Sequence, residues 1–173
     1  MRFATTPETA ELTGLSVETL REWTNRRALI PADIPPRSKG SPAQYAWETV
    51  LILRLAVSLR SRFHLQLQAH RTLFAELKEA LRTRGLSGLK SVTLALFGNG
   101  RWALIDDMQR ENVNEEALLI GLKAYAEPLF AAFGLVDDSG SLQIELFPIE
   151  DLITKRKDPA SAEERELSRE GVA

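Results

Sequence analysis

The chain has 173 residues, 44% of them hydrophobic and 27% charged, so one domain or two small ones with a real core are within reach. It has no cysteine, which excludes disulfides, thiolate metal sites and cysteine nucleophiles, and no apolar run approaches the ~20 residues of a membrane span. The net charge of −2 divides unevenly: residues 1–90 carry 14 Lys and Arg against 8 Asp and Glu, the remainder 8 against 16, a basic half and an acidic half.

From the N-terminus, Thr5 or Thr6 caps a first helix that runs to about Leu12, with Pro7 and Glu8 suited to its first turn. Gly14 supplies a turn. Ser16 caps a second helix from Val17 to about Arg27. Leu12, Leu15 and Leu20 can pack together and set the angle between the two. Pro31, Pro35, Pro36, Gly40 and Pro42 forbid a helix through residues 31–42, so a loose two-stranded wing is expected there, ending near Tyr45. Trp47 to Arg60 forms a third helix, apolar nearly all round and therefore buried on more than one side. A fourth spans about Leu65 to Arg84 and stops at Gly85. Its His70, Leu73/Phe74, Leu77 and Leu81 suit either a self-pairing heptad seam or packing within one subunit.

The pattern then changes. Ser91 to Phe97 and Arg101 to Ile105 read as a hairpin about Gly98-Asn99-Gly100, Asn114 as the cap of a helix carrying Leu118 to Phe130 with Pro128 kinking or interrupting it, and Ser141 to Phe147 as a third strand. The fold class is α+β: a winged helix-turn-helix over 1–64, a connecting or dimerisation helix over 65–87, a β-β-α-β unit over 88–153, and a flexible polar tail over 154–173.

The specific chemistry lies near the start. With Val17 and Leu20 facing inward, the second helix turns Glu18, Arg21, Glu22, Asn25 and Arg26 outward. Arginine pairs in bidentate fashion with guanine and asparagine with adenine, and a carboxylate accepts from cytosine. Ser16 and Thr19 at the helix start, Trp23, Arg27 and Tyr45 beside it, and Arg37 and Lys39 in the wing complete the candidate DNA-binding set, with the last groups suited to the sugar-phosphate chain. His64 and His70 are six residues apart and do not share a helical face, so no metal is expected. Asp106-Asp107 and Asp137-Asp138 read as solvated turns, and Phe97, Trp102, Tyr125, Phe130, Phe133 and Phe147 as core. No nucleophile–base set is visible, so neither catalysis nor a cofactor is expected.

The stretch Thr13-Gly14-Leu15-Ser16-Val17-Glu18-Thr19-Leu20-Arg21-Glu22-Trp23 resembles the start of the MerR-type winged helix-turn-helix family, T-G-(V/L)-S-x-x-T-(L/I)-R-Y-Y. Ala28-Leu29-Ile30-Pro31, Tyr45, Glu48 to Leu53 and Arg62-Phe63-His64-Leu65 follow in the family's order, over about residues 3–84. Glu22-Trp23 replaces the tandem Tyr pair, and Ala43-Gln44 the arginine-rich positions before the wing tyrosine, which shifts phosphate gripping to Arg37, Lys39 or Arg26/Arg27. The resemblance implies double-stranded DNA as partner, a homodimer, and a transcriptional regulator in the cytoplasm at the nucleoid. The family's long pairing helix is cut off here at Gly85, which bears on its usual promoter-untwisting mechanism. The alternative is an architectural or assembly DNA-binding protein, such as a phage packaging subunit, recombination accessory or chromosome-anchoring factor, whose C-terminal half docks a protein partner.

Overall fold

A computed structural model describes residues 2–38 and 41–134, all within one compact unit, Met1–Asp137. Helix α3 (Trp47–Phe63) organises it. Ten of its residues between Trp47 and Leu59 that are apolar or neutral are buried, among them Val50, Leu51, Ile52, Leu53 and Leu55 at zero exposure. An apolar helix of this kind needs cover on every side. Helix α1 (Thr6–Thr13), helix α4 (Arg71–Arg84) and helix α5 (Lys123–Phe133) each pack against it. One apolar core therefore runs from Leu20 through Phe74, Leu77 and Leu81 to Leu129 and Phe130, and the expected boundaries near residues 64 and 87 fall inside it.

The head follows the expected order. Strand β1 (Ala4–Thr5) leads into α1, whose first turn is closed by Glu8: its carboxylate accepts from the Thr5 N–H at 2.7 Å and the Thr5 hydroxyl at 2.9 Å. Those hydrogen bonds, the backbone one foremost, lower the Glu8 pKa. Gly14 ends α1 at φ 72°, left-handed backbone that suits glycine. Helix α2 (Val17–Arg21) continues directly into a π-helical turn, Glu22–Arg26. Strand β2 (Gln44–Tyr45) pairs antiparallel with β1, Ala4 opposite Tyr45.

Several elements differ from the sequence reading. The fourth helix does not begin at Leu65: a 3-10 turn, Leu67–His70, precedes α4. Its stripe of Leu73, Phe74, Leu77 and Leu81 is buried within the chain, so the heptad pattern reports internal packing. Strands β3 (Val92–Phe97) and β4 (Trp102–Asp106) form the expected hairpin, with Leu94 opposite Leu104. The helix placed after Asn114 is instead strand β5 (Ala117–Gly121), antiparallel to β3, giving the order β4-β3-β5. Alternating Leu118 and Ile120 cover the core side of the sheet, and that demand overrides the helical spacing. The helix starts at Lys123 and continues through Pro128, so the described part is β-β-β-α. The expected third strand at Ser141–Phe147, Asp137-Asp138 and the tail lie outside the described residues. Phe130 and Phe133 are buried, and Trp102 and Tyr125 pack on the same core. Asp106 pairs with Arg84 at 3.1 Å and Asp107 accepts from Thr93 at 2.7 Å, so both carboxylates tie structure together.

A charged knot sits where the wing meets α3. The Asp33 carboxylate accepts from the Ala46 N–H and the Thr49 hydroxyl, both at 2.7 Å, and faces the Lys78 ammonium of α4 at 2.9 Å. Burial alone would raise the Asp33 pKa, but Lys78, Ala46 and Thr49 together outweigh it and hold it low. Its stabilisation is present above the unfolded value and is lost as pH falls through the lower folded value. The pKa of Glu48, which is 2% exposed with Oε2 unpartnered among the described residues, is raised by burial and then by the nearby Asp33 charge. Its contribution is present below the unfolded value and is lost as pH rises through the folded one. Asp33→Asn is expected to destabilise by about 3 kcal/mol at neutral pH, at the lower end for stranding one member of a buried pair. Glu48→Gln is expected to stabilise at neutral pH. Denaturant titrations from about pH 3 to pH 8 check both signs.

Candidate nucleic-acid interface

The second helix of the head is a rod from Val17 to Arg26. Ser16 caps it: its Oγ accepts from the Thr19 N–H at 3.1 Å and lies 2.9 Å from the Thr19 hydroxyl, so both hydroxyls are engaged at the helix start. Leu20, Trp23 and Thr24 face the core. Glu18, Arg21, Asn25, Arg26 and Arg27 are exposed. Glu22 is half-buried and pairs with Arg27 at 2.6 Å. The i→i−5 hydrogen bond from the Arg27 N–H to the Glu22 carbonyl, 2.8 Å, marks the π turn.

Ala28 follows at φ 43°, left-handed backbone that an alanine adopts only against strain. The next two N–H groups, of Leu29 and Ile30, fold back onto the Trp23 carbonyl at 2.8 and 3.4 Å, and so end the rod and bury both side chains. The wing then leaves and returns through an isolated bridge, Ile34 opposite Gln44, with hydrogen bonds of 3.1 and 2.9 Å. Within it Arg37 is exposed, and the Ser41 N–H donates to the Ser38 carbonyl at 3.0 Å. Lys39 lies outside the described residues.

Rod and wing flank a shared crevice of about 190 Å³, with Arg21 and Asn25 on one wall and Pro36, Ser38, Ser41 and Pro42 on the other. The structure therefore brings the expected base-reading groups beside the wing. Two expected contacts are corrected. Trp23 is 3% exposed and Tyr45 fully buried, so neither ring is offered to a sugar-phosphate chain. The Tyr45 hydroxyl lies 3.3 Å from that of Thr24 and ties the returning wing strand to the rod. Trp23 is covered by Arg60, whose guanidinium stands 5.7 Å from the ring centroid. Both aromatics hold the rod in place from behind.

The sequence reading missed a second basic surface. Arg27, Arg60 and His64 line a cleft of about 430 Å³ between the end of the rod and the α3–α4 elbow. The signal was present: no Asp or Glu occurs between Glu48 and Glu76, while Arg54, Arg60, Arg62 and Arg71 do.

The family described as MerR HTH family regulatory protein matches residues 5–77, which span α1, the rod, the wing, α3 and half of α4. Residues 5–77 are thus similar to the helix-turn-helix segment of that family. The match covers under half of the chain, and no curated protein matches it. The likeness is to a family of helix-turn-helix regulatory proteins. Among the described residues, no helix is long and apolar enough to cross a membrane.

Within this MerR-type head, Ala28→Gly is expected to raise stability by up to about 1 kcal/mol, because relief of the left-handed strain exceeds the added freedom of the unfolded chain. Trp23→Ala is expected to cost about 3–5 kcal/mol of stability, as a core deletion does. Both are read from denaturant midpoints at constant slope.

Proposed function

We propose that the protein is a sequence-specific, non-enzymatic DNA-binding regulator that acts as a homodimer. The observation that carries the reading is the crevice shared by Arg21 and Asn25 of the rod with the wing. A helix enters the major groove with one face toward the base edges, and a wing beside it meets the backbone. In this reading Arg21, Asn25 and Arg26 approach bases, Glu18 orients an arginine or accepts from cytosine, and Arg27 and Arg37 hold phosphates, joined by Arg60 and His64 from the elbow. Lys39 takes the same phosphate role from the wing. Ser16 and Thr19 fix the start of the rod.

The dimer of this proposal forms through the αβ part, because the apolar stripe of α4 is already occupied. Both edge strands, β4 and β5, pair only with β3 among the described residues. The short α4 also favours a second reading, an architectural or assembly DNA-binding protein whose C-terminal half docks a partner. Selection of bound duplexes from a random pool, with a salt titration, separates the two. An inverted repeat supports the symmetric regulator. Binding without sequence preference that fades steeply with salt supports the architectural reading.

On the selected site, Arg21→Ala is expected to cost about 1–3 kcal/mol and to relax discrimination at one base pair, whereas Arg37→Ala is expected to weaken all sequences alike and lower the salt slope by about one. Equal affinity of the Arg21→Ala protein and the parent for that site removes Arg21 from its assigned role.

A further inference from the structure

Arg54, at the middle of α3, is a half-buried cation with no carboxylate partner among the described residues. Its Nη1 donates to the carbonyl of Leu12, near the end of α1, and its buried Nε has no hydrogen-bond partner among the described residues. Desolvation disfavours the charged form here. A charge taken partly out of water is ordinarily matched by an opposite one.

Two clefts meet at this side chain. One, of about 410 Å³, runs past Leu12, Pro128 and Ala132, and is also lined by Arg2 and Glu8, which pair with each other at 3.1 Å. The other, of about 600 Å³, is lined by Ser58, Ser61, Arg62 and Tyr125 and so offers hydroxyls and a second guanidinium. The Tyr125 hydroxyl donates to Ser58 Oγ at 2.8 Å, which fixes the wall between α5 and α3. Glu11 lines both clefts and disfavours a multiply charged anion. None of these groups belongs to the DNA-facing surface.

We propose that the two clefts form one binding site for a small amphipathic monocarboxylate, its carboxylate on the Arg54 guanidinium and its apolar body along Leu12, Pro128 and Ala132. Guanidinium and carboxylate match in charge and geometry, and the apolar lining supplies the remaining contact. The site lies between the turn of the helix-turn-helix and α5.

Calorimetric titration of the full chain, without DNA, tests this with sodium octanoate, octylamine and inorganic phosphate as probes. Octanoate is expected to bind saturably with Kd on the order of 1 mM or tighter, and the other two at least about tenfold more weakly. Arg54→Gln and Ala132→Phe are each expected to weaken octanoate about tenfold or more, the first by removing the charge-assisted contact and the second by filling the apolar cleft. If Arg54→Gln does not fold, Ala132→Phe decides alone. Absence of saturable octanoate binding overturns the proposal, as does equal binding of octylamine or phosphate, or octanoate affinity unchanged in Ala132→Phe. Because no duplex is present, this outcome is independent of the DNA-binding reading.

Discussion

Helix α3 has no face that can be left in water. That constraint places everything else: α1, α4 and α5 stand where they do because each removes part of its apolar surface from solvent. The rod is held less directly, through Leu20, Trp23 and the Tyr45 hydroxyl, and it presents polar groups outward because its inner residues are committed to the same core. The orientation of the rod's outer face is therefore set by contacts that lie behind it.

The wing is anchored by charge instead. Asp33 ends the descent from the rod, caps the start of α3 and faces two cations of α4, Lys78 at 2.9 Å and Arg82 at 3.6 Å. One buried carboxylate thus links three elements, the wing, α3 and α4. Neighbouring Glu48 works against it, and the two acids give the wing base opposing dependences on pH.

What could be read from the sequence was what local chemistry controls. Gly14, Ser16 and the prolines after Ile30 set turn, cap and wing, and the outward positions of Arg21, Asn25 and Arg26 followed from helical spacing with Leu20 inside. What could not be read was set by distant partners. Alternation in Ala117–Gly121 competes with a helical reading of the same leucines, and only pairing with β3 decides it. Trp23 and Tyr45 look amphipathic in isolation, but each is enclosed by residues far along the chain, Arg60 in one case and the α3 core in the other. Arg60 and His64 escaped notice because they approach Arg27 only once α3 crosses behind the rod.

The π turn makes the rod a device whose aim depends on its length. An α-helix advances about 100° per residue, so one residue accommodated in a wider turn re-aims everything beyond it relative to everything before. Removing a single residue from Glu22–Arg26 would leave the guanidinium of Arg21 in place and swing the following amide and arginines to another bearing. Under the proposed function, the same side chains would then meet different base pairs along the duplex.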